Sequence, residues 1–128
     1  MEYLIDTHVL IWYIEGDPAL PQHLIKILDN DETTIIISIV SLWELAIKVN
    51  LGKLKLSVSL QLLQQRIKQS GNIKILNIEF EHLNILQTLP HHHRDPFDRL
   101  IIAQAIAEDL TIFSADEHFA TYPVTVIR

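Results

Sequence analysis

The spacing of apolar residues along the 128-residue chain switches repeatedly between strand-like and helix-like periods. Tyr3-Leu4-Ile5 is a short apolar run closed by Asp6, which predicts a buried first strand. Residues 8–15 then read as a helix stopped by Gly16-Asp17-Pro18, and Leu24, Ile25 and Leu28 place a second helix at 21–29. Residues 33–38 are β-branched and continuously apolar, the mark of a strand covered on both faces. In residues 41–50 the stripe Leu42, Leu45, Ala46 and Val49 predicts a helix ended by Leu51-Gly52. An amphipathic helix follows at 59–69, a strand by alternation at 73–78, and a helix at 79–89 that ends before Pro90. A helix at 96–108, a short strand at 111–114, a helical turn at 117–121 and a strand at 124–127 complete the chain.

Strands that alternate with helices imply right-handed crossovers and a sheet between two helical layers. The expected fold is therefore a three-layer α/β/α sandwich with a central, mainly parallel sheet of four to five strands. Ligands in such folds bind beyond the carboxyl ends of the strands. The length suits one domain spanning 1–128, with no repeat, linker or low-complexity tract to divide it.

Composition narrows the setting. Hydrophobic residues make up 48% and charged residues 20%, as in an ordinary globular protein. The absence of cysteine excludes disulfides and thiolate metal sites and fits a reducing cytoplasm. The first residues carry acids where a secretory signal needs a basic patch, and the apolar stretch 35–40 is too short to cross a bilayer. The expectation is a soluble cytoplasmic protein with no membrane contact. A net charge of −6 argues mildly against a nucleic-acid partner. The objection weakens if the acids gather into one cation site, and if Lys48, Lys53 and Lys55, or Arg94 and Arg99, form local basic patches.

Four acids fall where the fold exposes them. Asp6 follows the first strand, Asp116 follows the strand at 111–114, Asp98 lies in the first turn of a helix, and Glu44 stands one turn into another. All four can face one rim, where their mutual repulsion would call for cations, and carboxylate oxygens suit Mg²⁺ or Mn²⁺. Each also has a plainer role. Asp6 and Asp116 suit helix caps, and Glu44 suits an ion pair with Lys48 four residues on. Asp95-Pro96-Phe97-Asp98 fits a helix start with Asp95 as its cap. Spacing alone leaves both sets of roles open.

Leu4-Ile5-Asp6-Thr7-His8, Ser38-Ile39-Val40-Ser41-Leu42-Trp43-Glu44, His93-Arg94-Asp95-Pro96-Phe97-Asp98-Arg99 with the apolar run after it, and Ser114-Ala115-Asp116 resemble, in order, the motifs of the PIN-domain family. The likeness is greatest to its VapC-like branch and spans essentially the whole chain. It implies a Mg²⁺- or Mn²⁺-dependent endoribonuclease with Asp6, Glu44, Asp98 and Asp116 as catalytic and metal-binding acids. Thr7 accompanies the first acid, and Ser114 is a candidate to orient a ligand or water. His8 stands where many relatives have Asn. Asp95 is an extra acid best read as the helix cap, and Arg99 suits either a phosphate contact or an ion pair.

The resemblance further implies the toxin of a type II toxin–antitoxin pair, with RNA as substrate, a cognate antitoxin and self-association as a homodimer. Apparent apolar surface at Leu10, Ile11, Trp12, Leu62 and Leu63 agrees with such partners. Two other classes compete: a non-catalytic PIN-like binding module, and a receiver- or haloacid-type phosphotransfer domain. The intact acid quartet argues against the first. The second needs a nucleophilic Asp in a different context, and Asp6-Thr7-His8 lacks the further Asp expected two residues on in the phosphatase. His91-His92-His93 reads as a polar loop rather than a metal tract, and Trp12 and Trp43 as core or interface aromatics.

Overall fold

The computed structural model describes residues 1–128. Five strands, β1 (Glu2–Ile5), β2 (Thr34–Ser38), β3 (Ile73–Leu76), β4 (Thr111–Phe113) and β5 (Val126–Ile127), form one sheet in the order β3-β2-β1-β4-β5. Every pairing is parallel. The helices are α1 (Thr7–Glu15), α2 (Gln22–Leu28), α3 (Ile39–Asn50), α4 (Leu60–Ser70), α5 (Phe80–Leu86) and α6 (Pro96–Glu108), with a 3-10 turn at Glu117–Thr121. The three-layer architecture agrees with the alternation in the sequence, and the sheet is wholly parallel where a mainly parallel one was expected.

Side-chain alternation along the strands builds two cores. Tyr3, Ile5, Ile35, Ile37 and Phe113 pack on one face with Leu10, Leu24, Leu45 and Leu63 from α1, α2, α3 and α4. Leu4, Ile36 and Ile112 point to the other face and meet Leu100–Ala103 of α6 with Phe119 and Tyr122. The three central strands are thus apolar on both sides, which explains their unbroken runs of hydrophobic residues. Edge strand β3 is less covered, with Lys74 and Ile75 exposed.

Several boundaries moved. α3 begins at Ile39 because the Ser38 hydroxyl accepts the Val40 N–H at 3.0 Å and caps the helix two residues early. β3 stops at Leu76, and Glu79 then caps α5, whose last turn tightens into three-residue hydrogen bonds from Thr88 to Ile85 and Leu89 to Leu86. β5 is only the pair Val126–Ile127. No helix is long and apolar enough to cross a membrane.

Candidate metal centre

Ile5 of β1 pairs with Phe113 of β4, so Asp6 and Ser114, the residues that follow, leave the sheet side by side. Here the strand order reverses direction: β2 and β3 extend from β1 one way, β4 and β5 the other. Parallel sheets open a crevice at such a reversal.

Helix caps hold two of the acids in place. Asp6 Oδ1 accepts the Val9 N–H at 2.8 Å, capping α1 and leaving its second oxygen uncommitted to that helix. Asp116 Oδ1 accepts the His118 N–H at 2.9 Å, and its Oδ2 points elsewhere. α6 is capped by Asp95, whose Oδ1 accepts from Phe97 N at 2.8 Å and Asp98 N at 3.1 Å. Asp98 itself is the third residue of α6 and is buried with its carboxylate not used as a cap. The cap and site readings are therefore compatible, because a carboxylate has two oxygens.

Glu44 shows the same division more sharply. Lys48 Nζ lies 2.6 Å from Glu44 Oε2, as the four-residue spacing suggested. Glu44 is nevertheless buried, and its Oε1 is sealed from solvent with no hydrogen-bond partner. A buried acceptor left without a partner costs about 1–3 kcal/mol, so this oxygen is suited to meet a donor or a cation.

The electrostatics tie the four acids together. Burial, followed by the charges of Asp95, Asp6, Glu44 and Asp116, pushes the Asp98 carboxyl up to about 8. Every other member of the quartet thus acts on Asp98, which places all four in one field. Burial also raises Asp6, against the restraining hydrogen bonds of the Ser114 hydroxyl and the Val9 N–H and the charge of His8. At Asp116 partial burial opposes ionisation, but hydrogen bonds from His118 and His93 outweigh it and hold the carboxyl below its usual range.

The supporting residues divide. Ser114 is fully buried; its hydroxyl accepts the Asp116 N–H at 3.0 Å and restrains the upward shift of the Asp6 carboxyl. The Thr7 and Ser41 hydroxyls meet at 2.9 Å, bracing the start of α1 against α3, which carries Glu44. Arg99 does not form the expected ion pair with an acid. Its buried guanidinium donates to the carbonyls of Leu89, Pro90 and His93 and to the Tyr122 hydroxyl, so it clamps the loop before α6. His8 is exposed, with its ring 6.2 Å from Trp12.

His93 was missed. The His91-His92-His93 tract does form a loop, and His91 and His92 are exposed. His93 turns inward: its Nε2 hydrogen-bonds Asp116 Oδ2 at 2.9 Å and lies 3.0 Å from Asp98 Oδ2. One ligand atom each from His93, Asp116 and His118 fall within 4.8 Å of one another. The available signal was proximity, because His93 stands two residues before the Asp95 cap and five before Asp98. Trp43 is also not in the core; it is 53% exposed and meets Phe97 edge-on at 5.0 Å. Of the residues expected to offer apolar surface, Leu10 and Leu63 are buried and Ile11 and Trp12 are half-buried. Leu62 is exposed, together with Ile75, Ile78, Phe80 and Leu83.

Oxygen donors dominate the cluster and one is bare and buried, a donor set that fits a hard divalent cation. The family model of the PIN domain matches residues 3–124. Among solved structures, VapBC2 from Rickettsia felis bound to a DNA fragment from their promoter aligns at a TM-score of 0.71 and 20% identity, covering 99% of this chain and 98% of that one. DNA-bound VapBC from Salmonella typhimurium aligns at a TM-score of 0.72 and 16% identity over 99% and 97% of the two chains. A toxin–antitoxin complex from Klebsiella pneumoniae aligns at 0.64 and 19% over 98% and 96%. No curated protein sequence matches.

Proposed function

Because the chain belongs to the PIN-domain family, we propose that it is a divalent-metal-dependent endoribonuclease, the VapC-like toxin of a type II toxin–antitoxin pair. The observation that carries this reading is the carboxylate cluster at the sheet reversal, with Glu44 Oε1 buried and unpartnered. Carboxylates that share one field gain from a bound cation, and no Lys or Arg other than Lys48 forms an ion pair with any of the four acids. Asp6, Glu44, Asp98 and Asp116 would hold Mg²⁺ or Mn²⁺. When bound, such ions activate a water and stabilise the leaving oxygen of an RNA phosphodiester.

The chain's own residues supply positioning. Lys48 fixes Glu44 through Oε2 and leaves Oε1 available. The caps at Val9 and His118 orient Asp6 and Asp116, and the Ser114 hydroxyl holds the Asp116 N–H. Fixing ligands through such bonds lowers the entropy lost when a cation is bound.

A cognate antitoxin completes the reading, supported by the toxin–antitoxin complex among its structural relatives, and a homodimeric state and a cytoplasmic setting belong to the same proposal. The apolar groove lined by Ile39, Leu42, Leu60, Leu63, Ile67 and Ile75 is suited to a protein partner. The test is incubation with a panel of RNAs in Mg²⁺, in Mn²⁺ and in EDTA, beside Asp98→Asn. Cleavage that needs metal and disappears in the variant is expected. Binding of RNA or protein with no cleavage under any condition would overturn the enzymatic reading in favour of a binding module.

A further inference from the structure

The position of His93 between two of the acids has a chemical consequence. Its Nδ1 lies 3.2 Å from the backbone nitrogen of Asp95, within hydrogen-bond range. A backbone N–H can only donate, so Nδ1 is the acceptor and the ring hydrogen resides on Nε2. That hydrogen is directed at Asp116 Oδ2 at 2.9 Å, with Asp98 Oδ2 3.0 Å from the same nitrogen. A ring in this state donates a hydrogen bond; a metal ligand would need the lone pair on Nε2 and a hydrogen on Nδ1, where the Asp95 N–H already points.

The rest of the loop keeps the ring in place. The His93 N–H donates to the Tyr122 hydroxyl at 2.9 Å, and Arg99 Nη1 reaches the His93 carbonyl at 3.4 Å. The ring packs edge-on to Phe119 at 5.9 Å and against His118 at 5.2 Å. Residues of α6 and of the 3-10 turn, with Tyr122 that closes it, therefore aim one N–H at Asp116 Oδ2 beside Asp98 Oδ2.

We propose that His93 is the internal counter-group of the acid site: its Nε2–H bridges Asp98 and Asp116 in the metal-free protein and must be displaced when a divalent cation binds. The inference rests on the metal-binding reading given above and deepens it by naming what the cation competes with. The bridge relieves repulsion in the empty site, so it lowers apparent metal affinity by the fraction of molecules in which it is formed. His93 is in this sense a positioning residue that acts through Asp98 and Asp116.

Calorimetric titration of Mn²⁺ into the wild-type chain and into His93→Ala tests the competition. The variant should bind about tenfold more tightly, the worth of one hydrogen bond to a charged group. Long-range proton–nitrogen spectra of the histidine rings supply a second readout on the wild-type protein, which decides the matter if the variant does not fold. In EDTA His93 should show the Nε2–H form, and saturating Mg²⁺ should shift its ring signals as the bridge opens. Equal or weaker Mn²⁺ binding by the variant, or His93 signals indifferent to Mg²⁺, would overturn the bridge while leaving the metal site standing. Absence of Mn²⁺ binding in both proteins would overturn the metal site itself, and the bridge with it.

Discussion

Lys48 and Glu44 lie one turn apart on α3, and their 2.6 Å ion pair occupies only one of the two Glu44 oxygens. Lys48 is partly exposed while Glu44 is buried, so the lysine brings charge down to a carboxylate that cannot reach water. Replacing Lys48 with Met keeps the apolar stem and removes the ammonium. Leaving the second oxygen unsatisfied should lower the stability of the metal-free protein by about 1–3 kcal/mol. Saturating Mg²⁺ should recover much of that loss, because a cation then meets the same carboxylate. Urea melts with and without Mg²⁺ check this; a Lys48→Met protein as stable as the parent would show that the pair contributes nothing.

The order of strands and helices was legible because each element has its own hydrophobic period. Ile35, Ile36 and Ile37 announced a strand buried on both faces, and both cores confirm it. Boundaries were less legible where a side chain decides them from outside the periodic segment, as Ser38 does for α3. The buried hydrogen bonds of Gln104, which accepts from the Ser38 hydroxyl and donates to the Asn77 carbonyl, join residues far apart in sequence and left no local trace.

Asp95 and Asp98 divide the work at the start of α6, and substitutions separate them. Asp95→Ala removes the acceptor of two backbone N–H groups and should cost about 1 kcal/mol of stability, with activity mostly retained. Asp98→Asn keeps the shape and removes a charge from a crowded field, so stability should hold or rise while cleavage falls by about a hundredfold or more. Thermal melts and single-turnover cleavage on both variants distinguish the cases. A fully folded Asp95→Ala protein that no longer cleaves would assign Asp95 to the metal site.

In the site, chain position only allowed the four acids to face one rim and the family resemblance singled them out; the structure brings Asp6, Glu44, Asp98 and Asp116 into one field. Helix capping by Asp6 and Asp116 was legible as an alternative role, but one residue letter does not reveal that one oxygen can cap while the other faces the site. The ion-pair alternative for Arg99 failed for a similar reason. Next to an acid its charge suggests a partner, yet the nearest acceptors in space are the carbonyls of Leu89, Pro90 and His93. His93 escaped notice because a loop histidine acquires meaning only when the chain folds back onto Asp116, 23 residues on.

Buffer pH should act on the metal-free protein in an unusual direction. Asp98 titrates at about 8 in the folded chain, raised from 3.8 first by burial and then by the Asp95, Asp6, Glu44 and Asp116 charges. Between those values the folded protein holds a proton that the unfolded chain has released, so each rise in pH favours unfolding. The stabilisation is complete below the unfolded value and is lost as pH climbs through about 8. Asp6, raised by burial, adds to the same trend. Asp116 is lowered despite its partial burial, and its contribution disappears only as pH falls below the ordinary carboxylate range, outside this window. Divalent metal should reverse the slope, because it binds the ionised carboxylates and the proton must leave first. In EDTA the Tm should therefore fall between about pH 5 and about pH 8, while the Tm gain on adding Mg²⁺ should grow over the same interval. Asp98→Asn should flatten the EDTA curve. An EDTA curve that rises with pH through this interval, unchanged by the substitution, would show that the carboxylates do not share one crowded field.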